Sequence, residues 1–400
     1  MKILYVCHRF PYPPQRGGKI RPFNIIKHLS KEHVVTVASP VRSKKESDVG
    51  VGLRDYCSSY VMNIITKPMA AVNVLRNLAT NQPSSMGYFY SRRLSKRILE
   101  RINETEFDLI FVHCSSVAQY VEKVSGIPKI LDFGDMDSQK WAIYGKVRQF
   151  PLNIVYSIEG KRLQQAEADL ARKFDYCTCT TLEEMRTLES YNVGARTAWF
   201  PNGVDTEYFR PADEPYDPDT ICFIGRMDYF PNQECMLEFC TITLPLIKKK
   251  RPHLRMFIIG ANPSGAIRKL ERIPGVVVTG SVPDVRPYVW KCSVNVAPLN
   301  IARGTQNKIL ESLAMGVPTV ASLQAATGID AVPGEHFLTA SSPKEYANAV
   351  LRLLSDSGER QRYSEAGRAR MLSHHGWEGS MKKLDRILEE CLATLGKRTR

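Results

Sequence analysis

Short runs of β-forming apolar residues alternate with segments of helical hydrophobic period through both halves of this 400-residue chain. In the first half the strand candidates are residues 2–7, 34–38, 109–113, 129–132 and 176–180. In the second half they are residues 221–225, 255–260, 276–279, 294–298 and 318–321. Strands that alternate with helices build parallel sheets from βα units. The pattern therefore predicts an α/β protein, and its length exceeds that of one ordinary core.

A change in composition separates the two series of strands. The turn signal Pro-Asn-Gly at 201–203 is followed by residues 209–220, which contain three prolines and four carboxylates. We predict Rossmann-like domains at residues 1–203 and 220–376, joined by a linker at 204–219. Residues 377–400 place apolar side chains on one helix face, and this helix is expected to pack back toward the N-terminal domain. Two such domains bind ligands in a cleft at the carboxyl ends of their strands.

The chain is basic, with 55 Lys and Arg residues against 41 Asp and Glu residues, and the first 200 residues hold 29 against 19. Such an excess suits nucleic acid, anionic lipid or a phosphorylated substrate. Since no nucleic-acid-binding module is recognisable, we expect no nucleic-acid partner. The ten cysteines form no C-x-x-C pair, which argues against disulfides and zinc and favours the cytoplasm.

The first strand is followed by a loop with chemistry suited to phosphate. Gly17 and Gly18 let the backbone approach a ligand closely, and Pro22 suits the first turn of a helix predicted over residues 22–31. The amides and dipole at a helix start favour an anion. Arg16 and Arg21 add positive charge.

Two similar junctions follow strands of the second half. Arg226 stands at the mouth of the first, after a strand. In the second, Gly304 is predicted to open a helix whose first turns carry Lys308 and Glu311. Cations at a helix start would hold a diphosphate, and a carboxylate one turn on could bind vicinal hydroxyls in a bidentate manner.

These segments together resemble the retaining GT-B glycosyltransferases of the fourth sequence family, glycosyl transferases group 1. Matching stretches occur in family order at the Gly17-Gly18 loop, 108–113, 201–205, 209–211, Gly225-Arg226, 279–284 and 303–322. Residues 131–141 and 225–232 further resemble the sugar transferases of exosortase-associated exopolysaccharide gene clusters.

The resemblance implies roles for individual residues. In the first half, His113 would lie near the transferred sugar and the two glycines near the donor diphosphate. In the second half, Arg226 would bind the diphosphate, and Glu311 the ribose hydroxyls. We expect three residues in catalysis: His113, Arg226 and Lys308. The donor-binding set is Gly17, Gly18, Arg303, Gly304, Thr305 and Glu311, and the acceptor-side candidates are Arg16, Asp132 and Asp135.

Two positions depart from the family pattern. A lysine normally follows five residues after the arginine that matches Arg226, but this chain has Pro231. The first Glu of the family's Glu-x7-Glu pair is Arg303. Lys308 is placed to restore the missing cation, and Arg303 either serves the diphosphate or selects the sugar, including one that bears a carboxylate.

The resemblance implies a function as well. We expect retaining transfer of a hexose-type sugar from a nucleoside-diphosphate sugar to a polyprenyl-diphosphate-linked glycan in exopolysaccharide biosynthesis. No metal or cofactor is expected, and the domains 1–203 and 220–376 would bind acceptor and donor respectively. The enzyme would act in the cytoplasm, on the inner face of the membrane.

Rival interpretations remain open at this stage. Asp135 and Asp137 match the Asp-x-Asp of metal-dependent transferases, although an acceptor-side or helix-capping role fits them better. A nucleotide-sugar 2-epimerase of the same fold would need a second histidine in the cleft, which the sequence does not locate.

The helix predicted at residues 92–102 carries five basic side chains, with Leu94, Ile98 and Ile102 on its apolar face. It could lie on an anionic membrane or pack on its own domain.

Overall fold

The computed structural model describes residues 1–213 and 215–395. Glu214 of the predicted linker and the last five residues of the predicted C-terminal helix lie outside the described residues. The chain divides into two compact units. Unit 1 comprises Met1–Pro201 together with the chain from Met381 onward, and unit 2 comprises Asn202–Ser380.

Unit 1 contains a parallel sheet of seven strands in the order β3-β2-β1-β4-β5-β6-β7. The strands are β1 (Lys2–Cys7), β2 (Val34–Val41), β3 (Ser59–Ile64), β4 (Leu109–His113), β5 (Lys129–Gly134), β6 (Tyr176–Cys179) and β7 (Thr197–Trp199). Its helices are α1 (Gly17–Leu29), α2 (Lys44–Asp48), α3 (Lys67–Leu78), α4 (Ser84–Tyr88), α5 (Arg92–Glu104), α6 (Ser115–Ala118), α7 (Asp137–Val147), α8 (Leu152–Ala171) and α9 (Leu182–Glu189), with a 3₁₀ turn at Val49–Leu53.

Unit 2 contains a second parallel sheet, of six strands in the order β10-β9-β8-β11-β12-β13. The strands are β8 (Asp217–Ile224), β9 (Arg255–Ile259), β10 (Val276–Gly280), β11 (Cys292–Ala297), β12 (Thr319–Ser322) and β13 (Leu338–Ala340). The helices are α10 (Phe230–Glu238), α11 (Leu244–Lys248), α12 (Gly265–Arg268), α13 (Arg286–Val289), α14 (Asn307–Ala314), α15 (Leu323–Ala326), α16 (Pro343–Ser355) and α17 (Ser357–His374). Helix α18 (Trp377–Leu395) begins in unit 2 and belongs to unit 1 from Met381 onward. A π turn at Phe239–Thr243 and a 3₁₀ turn at Lys269–Arg272 complete the unit.

The predicted α/β class with two Rossmann-like domains is confirmed. The central strands are apolar on both sides because helices cover both faces of each sheet. The buried strand residues Tyr5 and Phe111, for example, stack with ring centroids 5.2 Å apart in neighbouring strands. Sequence patterning missed β3, β7 and β13. All three are edge strands of their sheets, and β3 and β7 consist mostly of half-buried residues.

Helix α1 corrects one prediction. It begins at Gly17, not at Pro22, so that Pro22 lies inside the helix. The earlier start places the paired glycines in the first turn. It also turns Arg21 inward, where only 3% of its surface is exposed.

Helix α5 settles the two interpretations of residues 92–102. Leu94 and Ile98 are completely buried, and Ile102 packs against the core of unit 1. Arg97 donates to the carbonyl of Met62 at 2.6 Å. The prediction that this helix lies on a membrane is therefore wrong: its apolar face is used within its own unit.

The ends of unit 2 differ from the predicted boundaries. Strand β8 begins at Asp217, within the predicted linker. From Met381 onward, α18 packs on unit 1, where His28 contacts Asp385 at 2.7 Å and Tyr176 donates to Glu390 at 2.9 Å. In the part of the chain that the structure describes, no helix has both the length and the apolar content needed to cross a bilayer.

Candidate functional site

Polar side chains occupy the carboxyl edge of the unit 1 sheet. His113 ends β4 and pairs in register with Asp132 of β5, which in turn pairs with Thr178 of β6. On its other side His113 is level with Cys7, so that His8 follows directly at the end of β1. Parallel strands thus bring residues distant in sequence to one edge.

Asp132 is the centre of a buried network. Its carboxylate receives two hydrogen bonds from Arg21, at 2.8 and 2.9 Å, and one from the Thr178 hydroxyl at 2.9 Å. Nδ1 of His113 lies 2.7 Å from the same carboxylate. Burial opposes ionisation, but the charge of Arg21 and the hydrogen bond from His113 hold the pKa of Asp132 well below its usual range.

The network fixes the state of His113. An ionised carboxylate only accepts hydrogen bonds, so Nδ1 of His113 carries a proton and donates to Asp132. Nε2 is then the ring nitrogen that Asp132 does not engage. Asp132 itself is fully buried and its two oxygens are occupied. The structure therefore corrects the expectation of an acceptor-side role: Asp132 has no surface to offer an acceptor and instead orients His113.

Arg21 was placed by the sequence among the cations that face a phosphate, and the structure corrects this as well. Its guanidinium lies 3.7 Å from the ring centroid of Phe200 and donates to the Phe200 carbonyl at 3.0 Å. It therefore links helix α1, strand β5 and the segment that leaves unit 1.

His8 is a neighbour that sequence reasoning missed, although its position directly after β1 was a usable signal. Its ring centroid lies 5.5 Å from that of His113. Burial, then the neighbouring His113 and Arg9, lowers the pKa of His8 well below its usual value. A Cβ added at Gly18 would lie 3.2 Å from Nε2 of His8. Glycine at 18 therefore keeps the space beside His8 open.

The rest of the glycine loop is more exposed. Arg16 is the N-cap residue of α1, and Gly17 faces open space. Lys19, by contrast, forms an ion pair with Glu46 at 2.7 Å. The helix start therefore presents two glycines and Arg16 in the region where the sequence predicts a phosphate.

Asp135 and Asp137 follow β5 at the same edge. Asp135 is exposed and accepts a hydrogen bond from Thr180 at 2.5 Å. Although the residue as a whole is exposed, its carboxyl group is partly buried beside Thr180, and this desolvation, followed by repulsion from Glu184, raises the pKa of Asp135 to about 6. Asp137 lies in the first turn of α7 and pairs with Lys140. Among residues 1–213 and 215–395, no group of three His, Cys, Asp or Glu side chains has metal-binding geometry.

In unit 2, Arg226 follows the carboxyl end of β8. Its guanidinium pairs with Asp228 through hydrogen bonds of 3.0 and 2.6 Å. The Asn232 side chain donates to the Arg226 carbonyl at 2.9 Å. The backbone of this loop packs closely on the residue that follows β9: a Cβ added at Gly260 would lie 1.9 Å from the carbonyl oxygen of Gly225.

Lys308 joins this loop from helix α14. Its ammonium donates to Asn232 Oδ1 at 2.6 Å and lies 4.7 Å from the Phe223 ring centroid. Burial lowers the pKa of Lys308 to about 8. Asn232 follows Pro231 directly, so the lysine amine lies beside the position where the family lysine is missing. Sequence reasoning quoted Asn232 within a motif but gave it no role.

Glu311 lies one turn after Lys308. Helix α14 begins at Asn307 rather than at the predicted Gly304, which places Lys308 in its first turn and Glu311 in its second. The Glu311 side chain is half-buried. Burial raises the pKa of Glu311 to about 7, and the positive charge of Lys308 opposes this rise.

The loop before α14 has a constrained backbone. Gly304 has φ of +60°, a region that side chains other than glycine rarely adopt. A Cβ added at Gly328 would lie 1.9 Å from the carbonyl oxygen of Gly304, so the backbone at Gly328 is in close contact with the backbone at Gly304. Thr305 Oγ1 is buried and without a partner among the described residues. The Arg303 carbonyl accepts from Gln306 at 2.9 Å.

Part of the chain matches a known protein family. Residues 218–356 match the family described as glycosyl transferases group 1. The matched range lies within unit 2. Arg226, Lys308 and Glu311 lie inside the matched range, whereas His113 lies outside it. No match was found among curated protein sequences.

Solved structures share the whole fold. Sucrose-phosphate synthase from Thermosynechococcus elongatus superimposes with a TM-score of 0.73 and 15% identity, over 98% of this chain and 100% of that one. HepE of Anabaena, in complex with UDP-glucose, gives 0.70 and 14% over 98% and 100%. TarM gives 0.70 and 9% over 96% and 98%. The predicted GT-B fold class is thereby confirmed.

Proposed function

We propose that this protein transfers a sugar from a nucleoside-diphosphate sugar to an acceptor. The observation that carries the proposal is the group formed by Arg226, Asn232 and Lys308 at the carboxyl edge of the unit 2 sheet, with the Glu311 carboxylate one helical turn further on. Two cations and a carboxylate at this spacing match the diphosphate and the ribose of a nucleotide.

The donor would be bound both at its diphosphate and at its ribose. Arg226 and Lys308 would neutralise the diphosphate as it departs, which is the charge that such a transfer must stabilise. A diphosphate would also hold Lys308 protonated, because a nearby negative charge favours the ammonium form. Glu311 would accept from the ribose hydroxyls. The HepE structures hold UDP and UDP-glucose, which supports a nucleotide-sugar as donor.

Gly304 and Thr305 would contact the donor next to this group. The left-handed backbone at Gly304 aims the loop, and the Thr305 hydroxyl, which lacks a protein partner, is suited to a ligand oxygen. A buried hydroxyl without a partner carries a free-energy cost that a bound ligand can remove.

His113 would act on the transferred sugar. With its Nδ1 proton held by Asp132, Nε2 can accept a hydrogen bond from a sugar hydroxyl. Asp132 and Arg21 are positioning residues, since they act through the histidine. We propose a retaining course without a metal ion, in which the diphosphate charge is stabilised by Arg226, Lys308 and backbone amides. Gly17, Gly18 and Arg16 would contact the diphosphate and acceptor.

A polyprenyl-diphosphate-linked glycan of exopolysaccharide biosynthesis is our proposed acceptor, with Asp135 on the acceptor side. The basic first half supports a polyanionic acceptor and work at the cytoplasmic face of a membrane. We propose a hexose-type donor sugar. Arg303 would then serve the diphosphate in place of the lysine that is absent at Pro231, or would bind a sugar carboxylate.

One observation keeps a second function in view. His8 lies beside His113, and a nucleotide-sugar 2-epimerase of this fold would need such a second histidine. Product analysis separates the two functions. A transferase releases the nucleoside diphosphate only when an acceptor is present, whereas an epimerase changes the sugar of the donor without an acceptor.

The test is a thermal-shift screen of nucleotide-sugars against the full chain. A ligand at a hundredfold its Kd stabilises a protein by about 2.7 kcal/mol, which is a readily measured shift. Glu311→Gln should reduce the shift, and Glu365→Gln, which changes an exposed helix carboxylate of the same unit, should keep it. If no nucleotide-sugar raises the melting temperature of the wild type, the proposed function is refuted.

A further inference from the structure

Helix α3 presents an apolar face to solvent. Val72 is 64% exposed and Leu75 is 65% exposed. Met69 and Leu78 flank them and are also exposed. Isolated exposed apolar residues are common, but four at three-residue intervals along one helix of three turns are not. Within this twelve-residue helix only Ala70 is fully buried.

A second apolar group lies at the turn between α7 and α8. Phe150 is 77% exposed, the largest exposed fraction among the large apolar residues that the structure describes. The first half of α8 continues the group. Its exposed members are Leu152, Ile154, Val155 and Ile158.

The two groups are neighbours. Arg162 of α8 donates to the carbonyls of Asn77 and Leu78, at the end of α3, at 3.3 and 3.4 Å. Val155 and Ile158 precede Arg162 by seven and four residues, which places all three on one stripe of α8. We call the region formed by α3, the turn at Phe150 and the first half of α8, which Arg162 links, the α3–α8 surface.

The charge around the α3–α8 surface has one sign. Residues 67–78, which form α3, contain two basic residues and no Asp or Glu, and residues 147–158 contain one basic residue and no Asp or Glu. Lys67 and Arg76 lie on α3 itself, and Arg148 precedes Phe150. Apolar side chains among basic ones, without acids, are typical of surfaces that enter the headgroup layer of an anionic bilayer.

We propose that the α3–α8 surface docks this protein on an anionic lipid bilayer. A second copy of the chain is a poorer occupant, because pairing two such faces would bring basic side chains together without acids to neutralise them. Helix α5, the sequence-based candidate, has its apolar face buried. The α3–α8 surface has the exposed apolar groups that α5 lacks.

The location suits an enzyme with a membrane-bound acceptor. Helix α3 follows strand β3, and α7 follows β5, at the carboxyl edge where His113 lies. A bilayer held by these helices would therefore lie on unit 1 near the loops of that edge. The inference stands on exposure and charge, and a failure of the proposed transfer reaction would leave it intact.

The test is co-sedimentation of the full chain with two kinds of vesicle: phosphatidylcholine mixed with phosphatidylglycerol, and phosphatidylcholine alone. We expect binding to the first kind that weakens with salt. Val72→Ser/Leu75→Ser should lower the partition at least about tenfold, given the apolar area that each side chain would bury. Lys67→Gln/Arg76→Gln should lower it about fivefold for each charge removed.

Unit 2 supplies matched controls. Ile242→Ser/Leu372→Ser removes two apolar side chains that are about half exposed, and Lys249→Gln/Lys250→Gln removes two exposed charges. These variants should partition as the wild type does. Unchanged melting temperatures would show that all four variants fold.

Three outcomes would overturn the proposal. The wild type could ignore anionic vesicles, or the α3 variants could bind them as the wild type does. Alternatively, sedimentation velocity could show that the wild type is a dimer which the α3 variants dissociate while vesicle binding stays unchanged. The last result would identify the surface as an interface between copies.

Discussion

Arg21→Met should reveal how strongly unit 1 depends on its buried ion pair. Arg21 is 3% exposed and Asp132 is not exposed at all. Methionine keeps the unbranched apolar stem of the side chain but leaves the Asp132 carboxylate buried without its guanidinium partner. Removing one member of a buried pair costs about 3–5 kcal/mol, since the remaining charge stays desolvated. We expect a loss of that size in the free energy of unfolding at pH 7.

The pH dependence makes the prediction sharper. In the wild type the folded-state pKa of Asp132 is depressed. The ionised Asp132 carboxylate therefore contributes its full stabilisation at pH values above its unfolded-state pKa. This stabilisation is lost only as the pH falls toward the folded-state pKa. In Arg21→Met, burial without the cation should raise the folded-state pKa above the unfolded one. The free energy of unfolding of the variant should therefore fall further below that of the wild type as the pH rises above about 4.

The assay is urea unfolding at pH 7 and pH 4, followed by tryptophan fluorescence. Arg21→Met/Asp132→Asn should be more stable than Arg21→Met alone, because no charge remains buried. Arg352→Met provides the exposed control, since Arg352 pairs with Glu359 at the surface and such pairs contribute about 0–1 kcal/mol. A loss below about 1 kcal/mol for Arg21→Met, or no recovery in the double variant, would refute the reasoning.

Four further predictions concern the proposed donor site. Glu311→Gln should weaken nucleotide-sugar binding, measured by calorimetry, by roughly 1.5–3 kcal/mol, because hydrogen bonds to a charged acceptor are lost; unchanged affinity would make Glu311 a mere helix-surface acid. Donor affinity of the free enzyme should be greatest between about pH 7 and 8, because Glu311 gains a proton below this window and Lys308 loses one above it; a flat profile would contradict both roles. Transfer should persist in excess EDTA, and a loss restored by Mn²⁺ would point back to Asp135 and Asp137. If Arg303 serves the diphosphate, Arg303→Glu should weaken acidic and neutral donors alike and Arg303→Lys should recover both; selective loss of acidic donors would show that it binds a sugar carboxylate.

The sequence by itself determined the fold class, and the reason is local. The interiors of central strands such as β1 and β4 are apolar because both faces are covered, and this pattern can be read without the fold. Edge strands such as β3 and β7 bury less and carry a weaker pattern. Helix α1 was misplaced because a proline inside a helix looks like a helix start.

Within the candidate site, local signals also located residues at strand ends and helix starts. His113 ends a strand, and Lys308 and Glu311 lie one turn apart on one helix, so their relation follows from helical spacing. The resemblance to the glycosyl transferases of group 1 supplied their expected roles, which the experiments above test.

Only the tertiary structure decided the contacts between distant residues. Asp132 meets Arg21 across 111 positions of sequence, and Lys308 meets Asn232 across 76. His8 and His113 become neighbours because their strands pair. The same holds for exposure: the fold buries the apolar face of α5 and leaves the apolar side chains of α3 in solvent. Periodicity records that a helix has an apolar face, whereas the packing of the remaining chain determines what covers it.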